Sequence, residues 1–149
     1  MLQVAQIWDL RQPVSSLTMA AHEHEILSVD WNKYNDCLVA TGSVDKTVRI
    51  FDVRMPMQAM HILHGHTYAV RRVKCSPHSE SLVYSCSYDM TMCMWDFARQ
   101  GDPLVRKFDH HTEFAIGLDV SSLVEGMVAS TGWDAMVYVW NQNGNPLTS

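Results

Sequence analysis

Apolar and polar residues alternate in short runs along the chain, and the runs recur. Val48 and Ile50 alternate with Thr47 and Arg49, Met92 and Met94 with Thr91 and Cys93, and Val137 and Val139 with Met136 and Tyr138. A period of two over five or six residues puts successive side chains on opposite faces and predicts a strand. Leu38–Thr41, Leu82–Cys86 and Met127–Thr131 are continuous apolar runs, the pattern of a strand covered on both faces. Further strands are predicted at Ser28–Trp31, Arg72–Cys75 and Gly117–Val120. No stretch carries a helical period. Turns bearing Asp45, Asp89 and Asp134 separate the central strands, and loops bearing Pro13, Pro56, Pro103 and Pro146 follow the alternating ones. The fold class is all-β.

Side-chain chemistry repeats with the strands. His22, His66 and His111 stand 44 and 45 residues apart. Nineteen residues after each comes Thr41, Ser85 or Ser130; twenty-three after, Asp45, Asp89 or Asp134; twenty-nine after, Phe51, Trp95 or Trp140. The residue following that aromatic is Asp52, Asp96 or Asn141, and Ile7-Trp8-Asp9 is the remnant of one more copy. A 44-residue unit of short strands with His near its start and Trp-Asp at its end resembles the WD repeat of β-propellers. Gly65-His66 and Trp95-Asp96 carry that pattern most fully.

Two readings compete for the His, hydroxyl and Asp set. As catalytic machinery, Ser85 would be nucleophile, His66 base and Asp89 orienter. Three copies at one spacing argue instead for architecture, and no Gly-x-Ser-x-Gly elbow is present. In WD-repeat proteins this set resembles a structural tetrad: Asp binds His, His binds the hydroxyl, and the hydroxyl meets the Trp N–H. The resemblance implies tetrads of His22, Thr41 and Asp45; His66, Ser85, Asp89 and Trp95; and His111, Ser130, Asp134 and Trp140. Phe51 has no N–H, so the first is expected to be incomplete. No enzymatic activity is expected.

Composition narrows the function further. Eleven Lys and Arg against sixteen Asp and Glu give a net charge of −5, the wrong sign for gripping nucleic acid. No apolar run has the roughly 20 residues of a membrane helix, and the first ten residues do not read as a secretory leader. Cys37, Cys75, Cys86 and Cys93 form no C-x-x-C pair and read as reduced, mostly buried thiols of a cytosolic protein. The eight histidines show neither H-x-x-x-H nor H-E-x-x-H spacing, so neither a metal nor another cofactor is expected.

At 44 residues per unit, 149 residues make about 3.4 repeats, fewer than the roughly four to eight blades of a propeller. The expectation is a partial β-propeller. It comprises a stub of a preceding blade (residues 1–19, with strands at 4–9 and 14–19), repeats at 22–63, 66–108 and 111–141, and a tail at 142–149. The last blade is expected to lack its outer strand.

Several stretches resemble one family closely. These are Glu25-Ile26-Leu27-Ser28-Val29-Asp30-Trp31-Asn32-Lys33-Tyr34, His66-Thr67-Tyr68-Ala69-Val70-Arg71-Arg72-Val73-Lys74, Ser85-Cys86-Ser87-Tyr88-Asp89, and His110-His111-Thr112-Glu113-Phe114. Together they are similar to the C-terminal half of receptors for the type 2 peroxisomal targeting signal, the peroxin seven family. The ending from Ala129 to Trp140 looks like its plant-type members. The resemblance implies a cytoplasmic import receptor that cycles to the peroxisome and binds signals of the form Arg-Leu-x5-His-Leu on cargo such as thiolase. The type 1 signal receptor would act as co-receptor, with docking peroxins at the membrane. By WD-repeat geometry the binding rim would comprise Glu25, Leu27 and Val44; Ala69, Arg71 and Tyr88; and Phe114, Ile116 and Trp133. Tyr88 and Trp133 would be the anchors and Glu25 the partner of the signal's Arg. The alternative is a WD scaffold of another assembly, such as a ubiquitin-ligase substrate adaptor.

Overall fold

The computed structural model describes residues 2–144. Residues 145–149 of the predicted tail lie outside the described residues, as does Met1. Among the described residues every regular element is a strand, and every pairing is antiparallel between neighbours in sequence. A leading pair, β1 (Gln3–Trp8) and β2 (Ser15–His22), precedes three larger sheets. The first repeat forms β3 (Ile26–Trp31), β4 (Leu38–Ser43), β5 (Thr47–Asp52) and β6 (His61–His64). The second forms β7 (Val70–Cys75), β8 (Leu82–Ser87), β9 (Met92–Asp96) and β10 (Leu104–Phe108). Among the described residues the third has three strands: β11 (Ala115–Val120), β12 (Met127–Gly132) and β13 (Val137–Asn141).

The core lies between consecutive sheets. Ala40, Val48, Ile50 and Leu63 of the first repeat pack on Val70, Val73, Val83, Cys93 and Trp95 of the second. On its other face the second repeat turns Tyr84, Cys86, Met92 and Met94 toward Ala115, Leu118, Val128 and Trp140 of the third. Met19 and Ala21 of the leading pair meet Phe51. Alternation along β9 therefore feeds two different cores, Met92 and Met94 one and Cys93 and Trp95 the other. Strands covered on both faces read as unbroken apolar runs for this reason. Between the inner strands, the Cys75 N–H donates to Asp30 Oδ2 at 2.8 Å, and Lys74 Nζ lies 3.3 Å from Asp119 Oδ1.

The inner strands begin two residues earlier than period two predicts, and the cause repeats. Each carries a register shift at one place: between Ile26 and Ser28, Val70 and Arg72, and Ala115 and Gly117. A bulge inserts one unpaired residue and re-aims its neighbours, so alternation fails there although pairing continues. The extra residues are Leu27, Arg71 and Ile116. In the leading pair, β2 runs on from the predicted end at Met19 to His22, paired with β1 as far as Gln3.

Candidate ligand-binding rim and the hydrogen-bonded chains beneath it

Each repeat's Asp sits in the turn between the two central strands. The Lys46 and Met90 N–H groups close those turns onto the Ser43 and Ser87 carbonyls, both at 3.2 Å. Lys46, Met90 and Ala135, next after each Asp, take positive φ (71°, 69° and 61°). A turn ending in a left-handed residue lets a short loop join twisted strands. Asp45 Oδ1 accepts from the Thr47 N–H (3.0 Å) and hydroxyl (2.6 Å), as Asp89 Oδ1 does from Thr91 at the same distances. The other carboxylate oxygen is thereby aimed at the histidine.

In the second repeat the chain of bonds is complete. His66 Nδ1–H donates to Asp89 Oδ2 at 2.8 Å, the Ser85 hydroxyl donates to His66 Nε2 at 2.8 Å, and Trp95 Nε1–H donates to Ser85 Oγ at 2.7 Å. We assign these directions because an ionised carboxylate only accepts, which puts the proton of a neutral imidazole on Nδ1. Burial pushes the Asp89 carboxyl upward, but hydrogen bonds from His66, Thr91 and the Thr67 N–H, with His66 attraction, hold it below the ordinary carboxylate range. Ser85 is fully buried.

The first repeat stops one link short. His22 reaches Asp45 and Thr41, each at 2.7 Å, and Phe51 supplies nothing further. Arg49 takes a place at the acid end, Nη2 donating to Asp45 Oδ2 at 3.2 Å and Nη1 to the Ala21 carbonyl at 3.1 Å. Burial holds His22 below the ordinary imidazole range, against the pull of Asp45.

The third repeat corrects the sequence reading. His111 reaches Asp134 at 2.8 Å and Ser130 at 3.1 Å, but Trp140 Nε1 has no partner and does not close the chain. The residues around the two indoles differ. At Gly65 a Cβ would stand 2.8 Å from the Trp95 ring, so glycine makes room for that indole. Ala21 holds the same position beside the smaller Phe51. In the third repeat it is His110, its ring 5.9 Å from Phe108 and 5.7 Å from Tyr138, while Phe108 lies 3.9 Å from Trp140. His110 Nε2 and Trp140 Nε1 are the two buried side-chain nitrogens without a partner among the described residues.

Each histidine arrives from the preceding sheet: His22 ends β2, His66 follows β6, and His111 follows β10. The segment after it is stitched to the Asp turn by one backbone bond per repeat. Val44 N–H donates to the Glu25 carbonyl (3.0 Å), Tyr88 N–H to Ala69 (3.1 Å), and Trp133 N–H to Phe114 (3.0 Å). The predicted rim positions thus come together within every repeat, beside the bulged Leu27, Arg71 and Ile116. Across the second and third repeats they form an aromatic run. Tyr88 and Phe114 have ring centroids 5.0 Å apart, Phe114 and Trp133 5.1 Å, and Trp133 is 64% exposed. Glu25 is exposed, and neither it nor Arg71 has an ion-pair partner among the described residues.

Sequence reasoning missed the residues that frame the Asp. Ser43 and Ser87 hydroxyls accept the Asp45 and Asp89 N–H (3.1 Å each) and donate to the His24 and Tyr68 carbonyls. The signal was legible as a hydroxyl two residues either side of the Asp, in Ser43-Val44-Asp45-Lys46-Thr47 and Ser87-Tyr88-Asp89-Met90-Thr91. Gly132-Trp133-Asp134-Ala135-Met136 lacks both hydroxyls.

Stacked antiparallel sheets, one per repeat and each fastened by a His–Asp link, define a repeat protein of the β-propeller type. The family described as WD domain, G-beta repeat matches residues 12–52 and 57–96, and the chain belongs to that family. Among named relatives, it is 58% identical over 88 residues to "Peroxisome biogenesis protein 7" of Arabidopsis thaliana, covering 59% of this chain and 27% of that protein. It is 34% identical to the "Peroxisomal targeting signal 2 receptor" of Saccharomyces cerevisiae, over 94% of this chain and 47% of that protein. To the protein so named in Komagataella phaffii it is 38% identical, over 91% of this chain and 43% of that protein. The chain spans from about a quarter to just under half the length of these relatives.

Proposed function

We propose that this chain forms part of a receptor for the type 2 peroxisomal targeting signal, and that its rim holds the signal without transforming it. The observation that carries this reading is the aromatic run of Tyr88, Phe114 and Trp133, on a chain similar to proteins named for that signal. An amphipathic signal helix needs an apolar platform for its leucines and a carboxylate for its arginine. Glu25 supplies the carboxylate, and the remaining rim positions, Leu27, Val44, Arg71 and Ile116, flank the groove. The cargo class includes thiolase, the co-receptor is the type 1 signal receptor, and docking peroxins receive the complex as it moves from cytoplasm to peroxisome. The His–Asp–hydroxyl sets serve as fasteners: they occur in every repeat, and Ser85 is shut off from solvent beneath Trp95.

The test is fluorescence anisotropy with a labelled Arg-Leu-x5-His-Leu peptide, on this chain and on the full-length Arabidopsis thaliana relative. Trp133→Ala, Tyr88→Ala and Glu25→Lys, with their counterparts in the relative, should each weaken binding by about tenfold or more, as for anchors at an interface centre. Unchanged affinity in all three would refute the assignment. Failure of the unsubstituted full-length relative to bind would remove the function itself.

A further inference from the structure

We propose that the recess where β7 meets the free edge of β11 is a site for a phosphate group, held by Arg72, Lys74 and the backbone of β11. Two consecutive sheet junctions share one geometry and carry opposite chemistry. At the first, β3 turns acceptors toward the edge of β7: Ser28 Oγ accepts the Val73 N–H at 3.1 Å, and Asp30 Oδ2 accepts the Cys75 N–H at 2.8 Å. At the second, the places of Ser28 and Asp30 are held by Arg72 and Lys74, 44 positions on. The N–H groups equivalent to those of Val73 and Cys75 belong to Leu118 and Val120, 45 positions on. The registers agree, with Val73 opposite Ser85 and Leu118 opposite Ser130. Donors stand where the first junction has acceptors.

The edge of β11 is thereby left to an outside acceptor. Ser121 N–H donates to the Met127 carbonyl, as Ser76 N–H does to Leu82, both at 2.9 Å. Alternate residues of a strand send their N–H groups to opposite sides, so those of Leu118 and Val120 point to the free edge, as those of Val73 and Cys75 do. Among the described residues no side chain accepts from them. Arg72, Lys74, Leu118 and Thr131 line one recess of about 270 Å³ with Gly117 and Asp119. Gly117, at the place of Ser28 and Arg72, adds no side chain, and Thr131 Oγ1 holds the space a Cβ there would need. Lys74 Nζ lies 3.3 Å from Asp119 Oδ1, whereas Arg72 has no carboxylate partner among the described residues. Two cations against one carboxylate leave the recess positive, and its uncharged polar groups, the Leu118 N–H and the Thr131 hydroxyl, can donate as well. A tetrahedral phosphate accepts from several directions at once, and guanidinium and backbone N–H are strong donors to it. A carboxylate offers two oxygens in one plane.

The experiment titrates inorganic phosphate into the whole isotope-labelled chain at constant ionic strength, in exchange for chloride, and reads backbone amide NMR. The Leu118 and Val120 amide signals should move together along a saturable one-site curve. Arg72→Gln should weaken binding about tenfold or more, the scale of a lost hydrogen bond to a charged group. Lys74→Gln should weaken it less, because Asp119 already offsets that charge, and Asp119→Asn should tighten it. Arg72→Ser with Lys74→Asp, which restores the residues of the first junction, should abolish it. Phosphoserine in place of inorganic phosphate separates the two sources of the group. Saturation by both marks a recess open to phosphate esters, saturation by inorganic phosphate alone marks one for the free ion, and either result supports the site. Shifts that never saturate, an equal response to acetate, or undiminished binding by Arg72→Gln would overturn the proposal.

Discussion

A methyl group at residue 65 tests whether space beside the histidine decides how the indole closes the bonded chain. In Gly65→Ala the new Cβ falls 2.8 Å from Trp95 Cη2, 3.4 Å from Cζ3 and 3.6 Å from Leu104 Cδ2. Trp95 is fully buried and tied to Ser85 at 2.7 Å, so the indole yields only by straining the core or giving up that bond. Overpacking costs about 1–3 kcal/mol, and at this chain length each kcal/mol lowers Tm by about 2–4 °C. Trp95→Phe alone removes the N–H donor and part of a buried ring, a loss of about 2 kcal/mol or more. The double variant reproduces the Ala21 and Phe51 pairing of the first repeat, where an alanine Cβ and a smaller ring share one cluster. Its cost should therefore fall below the sum of the single costs by at least about 1 kcal/mol, as for residues in direct contact. Urea unfolding of the four proteins measures that coupling. Additivity to within about 0.5 kcal/mol would show that residue 65 does not set the position of the indole.

The converse change, His110→Gly, should let the Trp140 N–H reach Ser130; its indole proton should then exchange more slowly by NMR, and an unchanged rate would count against crowding by His110. Asp89→Ala should cost about 1–3 kcal/mol, the penalty for leaving a buried partner unsatisfied. The Asp89 carboxyl is depressed in the folded state, so its contribution is complete above the ordinary carboxylate pKa of about 4 and fades as pH falls below it. His22, also depressed, begins to subtract stability earlier, as pH falls through about 6.5 and the unfolded imidazole takes a proton the folded one refuses. Urea midpoints between pH 7 and 3 should show both limbs, and Asp89→Asn should flatten the acidic one. Burial pushes the Cys75, Cys86 and Cys93 thiols up to about 12. A chromogenic disulfide at pH 8 should therefore label Cys37 at most until denaturant is added, and rapid labelling of more than one thiol would contradict the packing.

The spacing of His, hydroxyl and Asp made three sheets legible in the sequence, because a link between fixed points of one unit requires constant separations. The covered central strands were legible for a similar reason: an apolar run too short for a helix has little else to be. The starts of the inner strands were not, since a bulge breaks the alternation that announces a strand while leaving its ladder intact. Trp140 was misread because whether an indole reaches its hydroxyl depends on the packing around it, here Phe108 at 3.9 Å, which no spacing reveals. Of the rim, the positions could be named, but the contact between Tyr88 and Phe114 crosses from one sheet to the next. Such a contact follows from how sheets stack, and strand patterns describe each sheet alone.

Because one histidine per repeat reaches across from one sheet to fasten the next, the chain is a row of clasps in series. Load applied at its two ends is carried by every clasp alike, so the weakest opens first while the others stay closed. A stretched molecule should lengthen in discrete jumps, each releasing a unit of 44 residues, about 150 Å of extended chain.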